Sequence, residues 1–295
     1  MPCSFVNLDG KFSHLAKNHP CLGRAPNKGR LHLPVSPACN IKCRFCTRAF
    51  NDNENRPGVA KQLLSAEEAA GVIDRAVSLC PEISVVGVAG PGDSLATGHA
   101  LRCLKAMRET HPGLLGCLST NGLMLPERAE EIVNAGVETV TVTVNAVDPE
   151  ILALIVERIV INGIVLTGIK AAKILIANQM AGIGMLAERG VLVKINTVLI
   201  PCVNGGHIGE IAAAAADRGA SIINIIPLIP QGDFSDMAPP DCEEINEARE
   251  DAEERLPVFR HCQHCRADAC GLLGRDLSRE LYGGALSAEN TFSHG

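Results

Sequence analysis

The chain has 295 residues and a net charge of −6, with no basic block or aromatic ladder, which argues against a general nucleic-acid binder or a ligand for anionic membrane surfaces. Hydrophobic residues make up 46% of it but aromatics only 3%, with no Trp, so the core has to be aliphatic. Thirteen cysteines in a chain too long for a secreted disulfide scaffold point to a reducing compartment, with clustered thiols as metal ligands and scattered ones such as Cys80 and Cys103 as small buried hydrophobes.

The N-terminal stretch MPCSFVNLDGKFSHLAKNHPC lacks the apolar core of a secretory signal, so a soluble, cytoplasmic protein is expected. From about residue 30, β-rich runs alternate with helical ones. Segments 31–35, 83–89, 114–120, 139–145, 191–200 and 221–227 read as strands. They are near-continuous apolar or β-branched runs, the pattern of parallel strands buried on both faces. Ser65 with Glu68 makes a capping box ahead of a helix over 66–79. Pro126 opens a helix that Gly136 closes, and Gly190 and Gly219 stand where C-caps belong, after helices over 171–189 and 208–218. The greasiest stretch, 151–176, is interrupted by Glu157, Arg158, Asn162, Lys170 and Lys173. It reads as a buried helical region, not a membrane span. Past Pro239 a charged helix over 242–256 leads into FRHCQHCRADACG and a polar tail, expected to be partly disordered.

Six β/α units in series imply an α/β fold with a parallel sheet, either doubly wound or a partial barrel; periodicity does not choose between them. In both, sites form where strands end at their carboxyl side. The unusual motifs fall there: CNIKCRFC after the first strand, AGPGD after the second, STNG at the end of the third and Asn145 at the end of the fourth.

CNIKCRFC places Cys39, Cys43 and Cys46 in a C-x3-C-x2-C spacing. Three thiolates on one short loop suit three irons of a [4Fe–4S] cluster and leave the fourth iron open to a small molecule. Zinc is the plain alternative, but it favours a fourth ligand and C-x2-C spacing. Ala89-Gly90-Pro91-Gly92-Asp93 is a turn whose glycines permit close approach of the main chain, or a phosphate cradle. Thr120, Asn121 and Asn145 are residue types that serve turns as readily as ligands. Cys262 and Cys265 form a C-x2-C pair that, with His261 or His264, also suits half a zinc knuckle.

The cysteine spacing, with aromatic Phe45 before its last cysteine, resembles the radical SAM superfamily. That resemblance implies a partial (β/α)6 TIM-like barrel and a cluster on Cys39, Cys43 and Cys46 that cleaves S-adenosylmethionine (SAM) to a 5′-deoxyadenosyl radical. Phe45, Ala89, Gly90, Gly92, Asp93, Thr120, Asn121 and Asn145 become the SAM-binding candidates. NHPC, LHLPVSPACNIKCRFC, ENRPGV, VAGPGDSLAT, CLSTNGL, TVTVNAVDPEI, KINTVLIP and HCQHCRADACGLLG, in order from residue 19 to 274, narrow the resemblance to the nitrogenase-cofactor maturases of that superfamily. A maturase of this kind holds three [4Fe–4S] clusters, one for radical chemistry and two as building material. It fuses those two, with a carbide taken from the SAM methyl group and an added sulfur, into an eight-iron precursor.

The resemblance assigns Cys21, His32 and Cys117 to one substrate cluster and Cys262 and Cys265 to the other. Arg266 is placed to stabilise cluster charge beside Cys265. Glu54 and Arg56 become candidates for positioning SAM or moving protons, with a surface salt bridge as the ordinary alternative. It divides the chain into an N-terminal ligand segment (1–30), the barrel (31–240), a C-terminal helix and C-x2-C ligand segment (241–274) and a tail (275–295). The termini are expected to bring their ligands to the barrel mouth. Implied partners are SAM, iron–sulfur cluster substrates, and separate cofactor-carrier and nitrogenase assembly proteins, because the chain stops before the carrier domain that longer relatives append. A monomer is expected. Two departures stand out. LGRAPNKGR replaces a longer His-containing segment, which puts His14 and His19 in doubt as ligands, and Asn51-Asp52-Asn53 stands where many relatives have a cysteine.

Overall fold

A computed structural model describes residues 10–22, 25, 27–283 and 293–294. Helix α1 (Ser13–Asn18) precedes strand β1 (Gly29–His32) and the short extended piece β2 (Ile41–Cys43). Then α2 (Ala66–Leu79), β3 (Ile83–Val88), α3 (His99–Thr110), β4 (Leu115–Thr120), α4 (Leu125–Asn134) and β5 (Val137–Thr143) alternate. Helix α5 (Pro149–Ile155), a hairpin of β6 (Val156–Ile161) and β7 (Ile164–Thr167), and the long α6 (Gly168–Glu188) come next. The chain closes with β8 (Leu192–Leu199), α7 (Ile208–Asp217), β9 (Ile222–Pro227), α8 (Cys242–Glu253), β10 (Cys270–Leu272), β11 (Arg275–Asp276) and α9 (Ser278–Tyr282).

Local signals fix several of these ends. The Ser65 hydroxyl accepts from the Glu68 amide (3.2 Å) and the Glu68 carboxylate from the Ser65 amide (2.7 Å), the reciprocal cap read from the sequence. Asp241 and Glu244 cap α8 in the same way. Gly136, Gly190 and Gly219 all adopt positive φ just past their helices, where a side chain would be strained.

The main sheet runs β9-β8-β5-β4-β3-β1-β10-β11. Its first six strands are mutually parallel, and β10 and β11 are antiparallel additions. This is the partial-barrel arrangement of six β/α units. Its two edges are joined by the chain after α8. Val258 bridges Ile223 at the β9 edge, with Phe259 N–H donating to the Ile223 carbonyl at 2.7 Å, while β10 pairs with β1 at the other edge. Residues 260–269 therefore form a strap from one edge strand to the other, and the strap carries Cys262 and Cys265.

The two faces of the sheet differ, contrary to the expectation of strands apolar on both sides. Val86, Val88, Leu118, Val140, Val142, Val193, Ile195, Ile223 and Ile225 pack outward into an aliphatic core with the helices. The alternate residues, Gly87, Cys117, Thr139, Thr141, Lys194, Asn196 and Asn224, line an internal cavity. The alternation TVTVTVN over 139–145 carries this pattern openly, and period two is the geometry of a strand with unlike faces. At the amino ends of the strands, Leu15, Ala16, Leu22 and Phe259 pack with Val85, Leu115, Leu192 and Ile222 and plug that end.

One predicted element is corrected. The buried helical region expected over 151–176 is a helix, a hairpin and the start of α6. Asn162 (φ 51°) and Gly163 (φ 73°) make a two-residue left-handed turn between the β-branched runs VERIVI and IVLT. Asn-Gly between such runs is a hairpin signal, and it outweighs mean apolarity. Strand β6 also pairs antiparallel with β2, so the cysteine motif starts as extended chain anchored on this hairpin. In the tail, 275–283 are ordered, and the Tyr282 hydroxyl donates to the His32 carbonyl at 3.2 Å. Residues 284–292 and 295 lie outside the described residues. Among the described residues no helix is long and apolar enough to cross a membrane.

Candidate active site

A single cavity of about 320 Å³ runs through the interior of the sheet. At one end lie Cys39, Cys43, Cys46 and Phe45; at the other lie Cys21, His32, Cys117, Cys262 and Cys265.

The first end is built from strand-end loops. Cys39 is buried and Cys43 and Cys46 are half-buried. The Cys46 amide donates to the Cys43 carbonyl (3.1 Å), which tightens the loop, and Arg44 is held by Asp233 (2.9 Å) and by its own amide on Ile155 (2.9 Å). Two donors approach the Cys39 sulfur: Asn121 Nδ2 at 3.8 Å and Arg48 Nη2 at 3.9 Å. Burial raises both the Cys39 and Cys43 thiols, and Arg48 acts against that shift on each. A guanidinium beside the three sulfurs therefore favours the thiolate state that iron ligation requires.

The AGPGD turn meets this loop through the main chain. The Gly92 amide donates to the Ser36 carbonyl (2.8 Å) and the Asp93 amide to the Ala38 carbonyl (2.9 Å). A Cβ on Gly92 would run into the Ala38 and Ser36 carbonyls, so only glycine allows the approach. The Asp93 carboxylate is buried and accepts from the Asn121 amide (2.6 Å), the Leu95 amide (2.9 Å) and the Thr120 hydroxyl (3.0 Å). Burial raises its pKa. Asp93 and Thr120 thus line the cavity while being committed to each other, and Asn145 Oδ1 is taken by the Val198 amide (2.9 Å). Asn121 keeps its side chain beside Cys39, bonded to Asn40 Oδ1 (2.7 Å). Ala89 and Gly92 line the cavity, whereas Gly90 does not.

Glu54 and Arg56 do not line it either. They pair with each other at 2.5 Å, Arg56 also donates to the Thr47 carbonyl (2.6 Å), and Arg56 holds the Glu54 carboxyl below its usual range. Arg266 faces away from the thiols as well. Its guanidinium grips Asp268 (2.8 and 2.9 Å) and the carbonyls of Glu54 (2.5 Å) and Asn51 (2.8 Å), because a fork of donors is best satisfied by a carboxylate and bent main chain. The expected charge partner of Cys265 is instead Arg30, whose Nη2 donates to its sulfur at 3.3 Å.

The second end is assembled from five segments. Cys21 comes from the N-terminal segment at the plugged, amino end of the strands, not at the mouth. Cys117, expected at the end of its strand, is the third residue of β4, paired with Gly87. Cys262 and Cys265 come from the strap. Burial pushes the Cys21 thiol up to about 12 and raises Cys117 too.

The two buried histidines differ in what they offer. His32 Nδ1 lies 3.0 Å from the Arg266 carbonyl, which only accepts, so Nδ1 carries the proton and the Nε2 lone pair remains available as a ligand. Burial pulls its pKa down to about 4, so the ring is neutral at physiological pH. His19 is the reverse. Its Nδ1 accepts from the Cys21 amide (3.2 Å), which puts the proton on Nε2, a buried donor with no partner among the described residues. His14 is exposed.

Among the described residues no three His, Cys, Asp or Glu side chains are close enough to hold one metal ion. Ligands that each take a different iron of a cube stand further apart than ligands of one ion, and the donor set here, thiols with one neutral imidazole, fits iron–sulfur clusters. Sequence reasoning missed Arg30, Arg48 and Lys194 at this site. For Lys194 the signal was available in a lysine and an asparagine at alternate positions of the apolar strand LVKINTVL.

A parallel partial barrel with a C-x3-C-x2-C loop over the carboxyl ends of its strands defines the radical SAM class, and residues 33–215 match the Radical SAM superfamily model. Solved structures share the fold: a radical SAM methyltransferase from Sphaerobacter thermophilus (TM-score 0.59, 18% identity, covering 79% of this chain and 66% of that one) and SuiB of Streptococcus suis bound to S-adenosylmethionine (TM-score 0.57, 15% identity, 80% and 51%). Among curated relatives, the FeMo cofactor biosynthesis protein NifB of Methanocaldococcus jannaschii is 46% identical over 271 residues, 90% of either chain. NifB of Bradyrhizobium diazoefficiens is 42% identical over 90% of this chain and 55% of its own length. The chain belongs to the NifB family.

Proposed function

We propose that the protein is a radical SAM enzyme of nitrogenase cofactor biosynthesis that fuses two [4Fe–4S] substrate clusters, a carbide from the SAM methyl group and one added sulfur into an eight-iron precursor. One observation carries the reading: a single cavity joins the three-cysteine loop to a second group of thiols and an imidazole that the barrel alone does not require. A radical SAM enzyme acting on an organic molecule needs the first group; the second suits a substrate made of iron and sulfide.

In this reading Cys39, Cys43 and Cys46 hold the resident cluster, which supplies the electron for reductive cleavage of SAM. Phe45, Ala89, Gly92 and Asn121 border the space for SAM, Gly92 by permitting main-chain approach. Arg48 keeps the three sulfurs as ligands. Cys21, His32 and Cys117 hold one substrate cluster, and Cys262 with Cys265 on the strap holds the other. Few protein ligands per substrate cluster fits material that has to leave as product. The plug of Leu15, Leu22 and Phe259 keeps water from that end, where reactive intermediates would otherwise be quenched. The product passes to separate carrier and assembly proteins.

The test is anoxic reconstitution of the full chain followed by reaction with methyl-labelled SAM. Label is expected in an acid-labile cluster, with about twelve irons per chain beforehand. Label confined to small organic products refutes the reading.

A further inference from the structure

Lys194 is a buried charge that the proposed chemistry leaves without a task. It is the third residue of β8 and 6% exposed. Its Nζ donates to the Cys21 carbonyl at 3.1 Å and sits 3.9 Å from the centre of the Phe259 ring. The side chain lines the cavity and has no ion-pair partner among the described residues; burial lowers its pKa, and the thiols of Cys21, Cys262, Cys117 and Cys265 act against that shift. Arg30, the other buried cation at this end, is different: it is paired with Asp276 (3.3 Å) and bonded to the carbonyls of Gly271 and Leu272.

An ammonium removed from water without a counter-charge is costly, and a position that only needed filling would be better served by Leu or Met. One carbonyl and one ring face leave donor capacity unused, because an ammonium has three N–H groups. The missing acceptor therefore comes from what enters the cavity. Sulfide and thiolate sulfurs are suitable acceptors, and a charged donor in a dry cavity makes the stronger bond.

We propose that Lys194 is a substrate-contacting residue, whose ammonium donates hydrogen bonds to the sulfur of the substrate cluster held by Cys21, His32 and Cys117 and so retains it in the cavity. The inference rests on the proposed function and adds a non-ligand contact that selects for this class of substrate.

The experiment uses the full chain, reconstituted without oxygen and challenged with an iron chelator, with iron release followed over time. The radical cluster is tracked separately by the change in its electron paramagnetic resonance signal on adding SAM. Lys194→Gln is the informative variant, since it keeps an N–H donor but carries no charge; Lys194→Met removes both. In both variants the substrate irons are expected to leave roughly ten- to a hundredfold faster, as for one lost hydrogen bond to a charged group, with the SAM response unchanged. Lys194→Arg should restore retention. Wild-type retention in Lys194→Gln overturns the proposal and leaves Lys194 as a tether for the Cys21 segment. A wild-type protein holding only about four irons overturns the function reading itself, and this inference with it.

Discussion

The two ends of the cavity are built in opposite ways. The Cys39, Cys43 and Cys46 end comes from eight consecutive residues, braced by β2 on the hairpin and by the AGPGD turn, and its neighbours Arg48 and Asn121 lie close in the chain or at the end of β4. The other end draws Cys21, His32, Cys117, Lys194 and the strap cysteines from segments up to 244 residues apart (265 − 21), joined only by sheet pairing and the strap. A site that keeps its cluster gains from a compact loop, whose closure costs little entropy. A site that loads and releases clusters gains from ligands on separate elements, because each contact can be broken without unfolding the rest.

The largest test of this contrast is to remove the loop ligands. Replacing Cys39, Cys43 and Cys46 together with Ala should take away about four irons, reduce SAM cleavage to background and leave iron at the thiol end. Iron analysis and chromatography of 5′-deoxyadenosine check it; loss of all iron would mean that the two ends are not independent. The converse change, Cys262→Ala with Cys265→Ala, should keep the radical cluster and SAM cleavage yet abolish the cluster product. Full product from that variant would remove the strap from the site. A smaller effect is expected for Gly92→Ala, where the new Cβ meets the Ala38 and Ser36 carbonyls: a loss of about 2–3 kcal/mol in denaturant unfolding, with weaker SAM binding at the loop end. A neutral result there would show that the turn has room to move.

What the sequence showed plainly was whatever is encoded within a few residues. The C-x3-C-x2-C loop, the Ser65–Glu68 cap, the glycines closing the helices and the six β/α units could all be read because spacing and turn chemistry are local. The Asn162-Gly163 hairpin was equally local, but an average over an apolar stretch hid it. Lys194, Asn196 and Asn224 stood in view as polar residues inside apolar strands, and the alternation over 139–145 gave the unlike faces of the sheet, though neither indicates what the inner face surrounds.

Only the tertiary structure decided that Cys21 enters from the plugged end, that Arg266 turns to Asp268 while Arg30 meets Cys265, and that His32 offers a lone pair where His19 offers a proton. Those outcomes depend on which carbonyl, amide or sulfur each group meets across hundreds of residues of chain. Spacing along the backbone does not contain that information; the register of β1, β3, β4 and β8 and the course of the strap do.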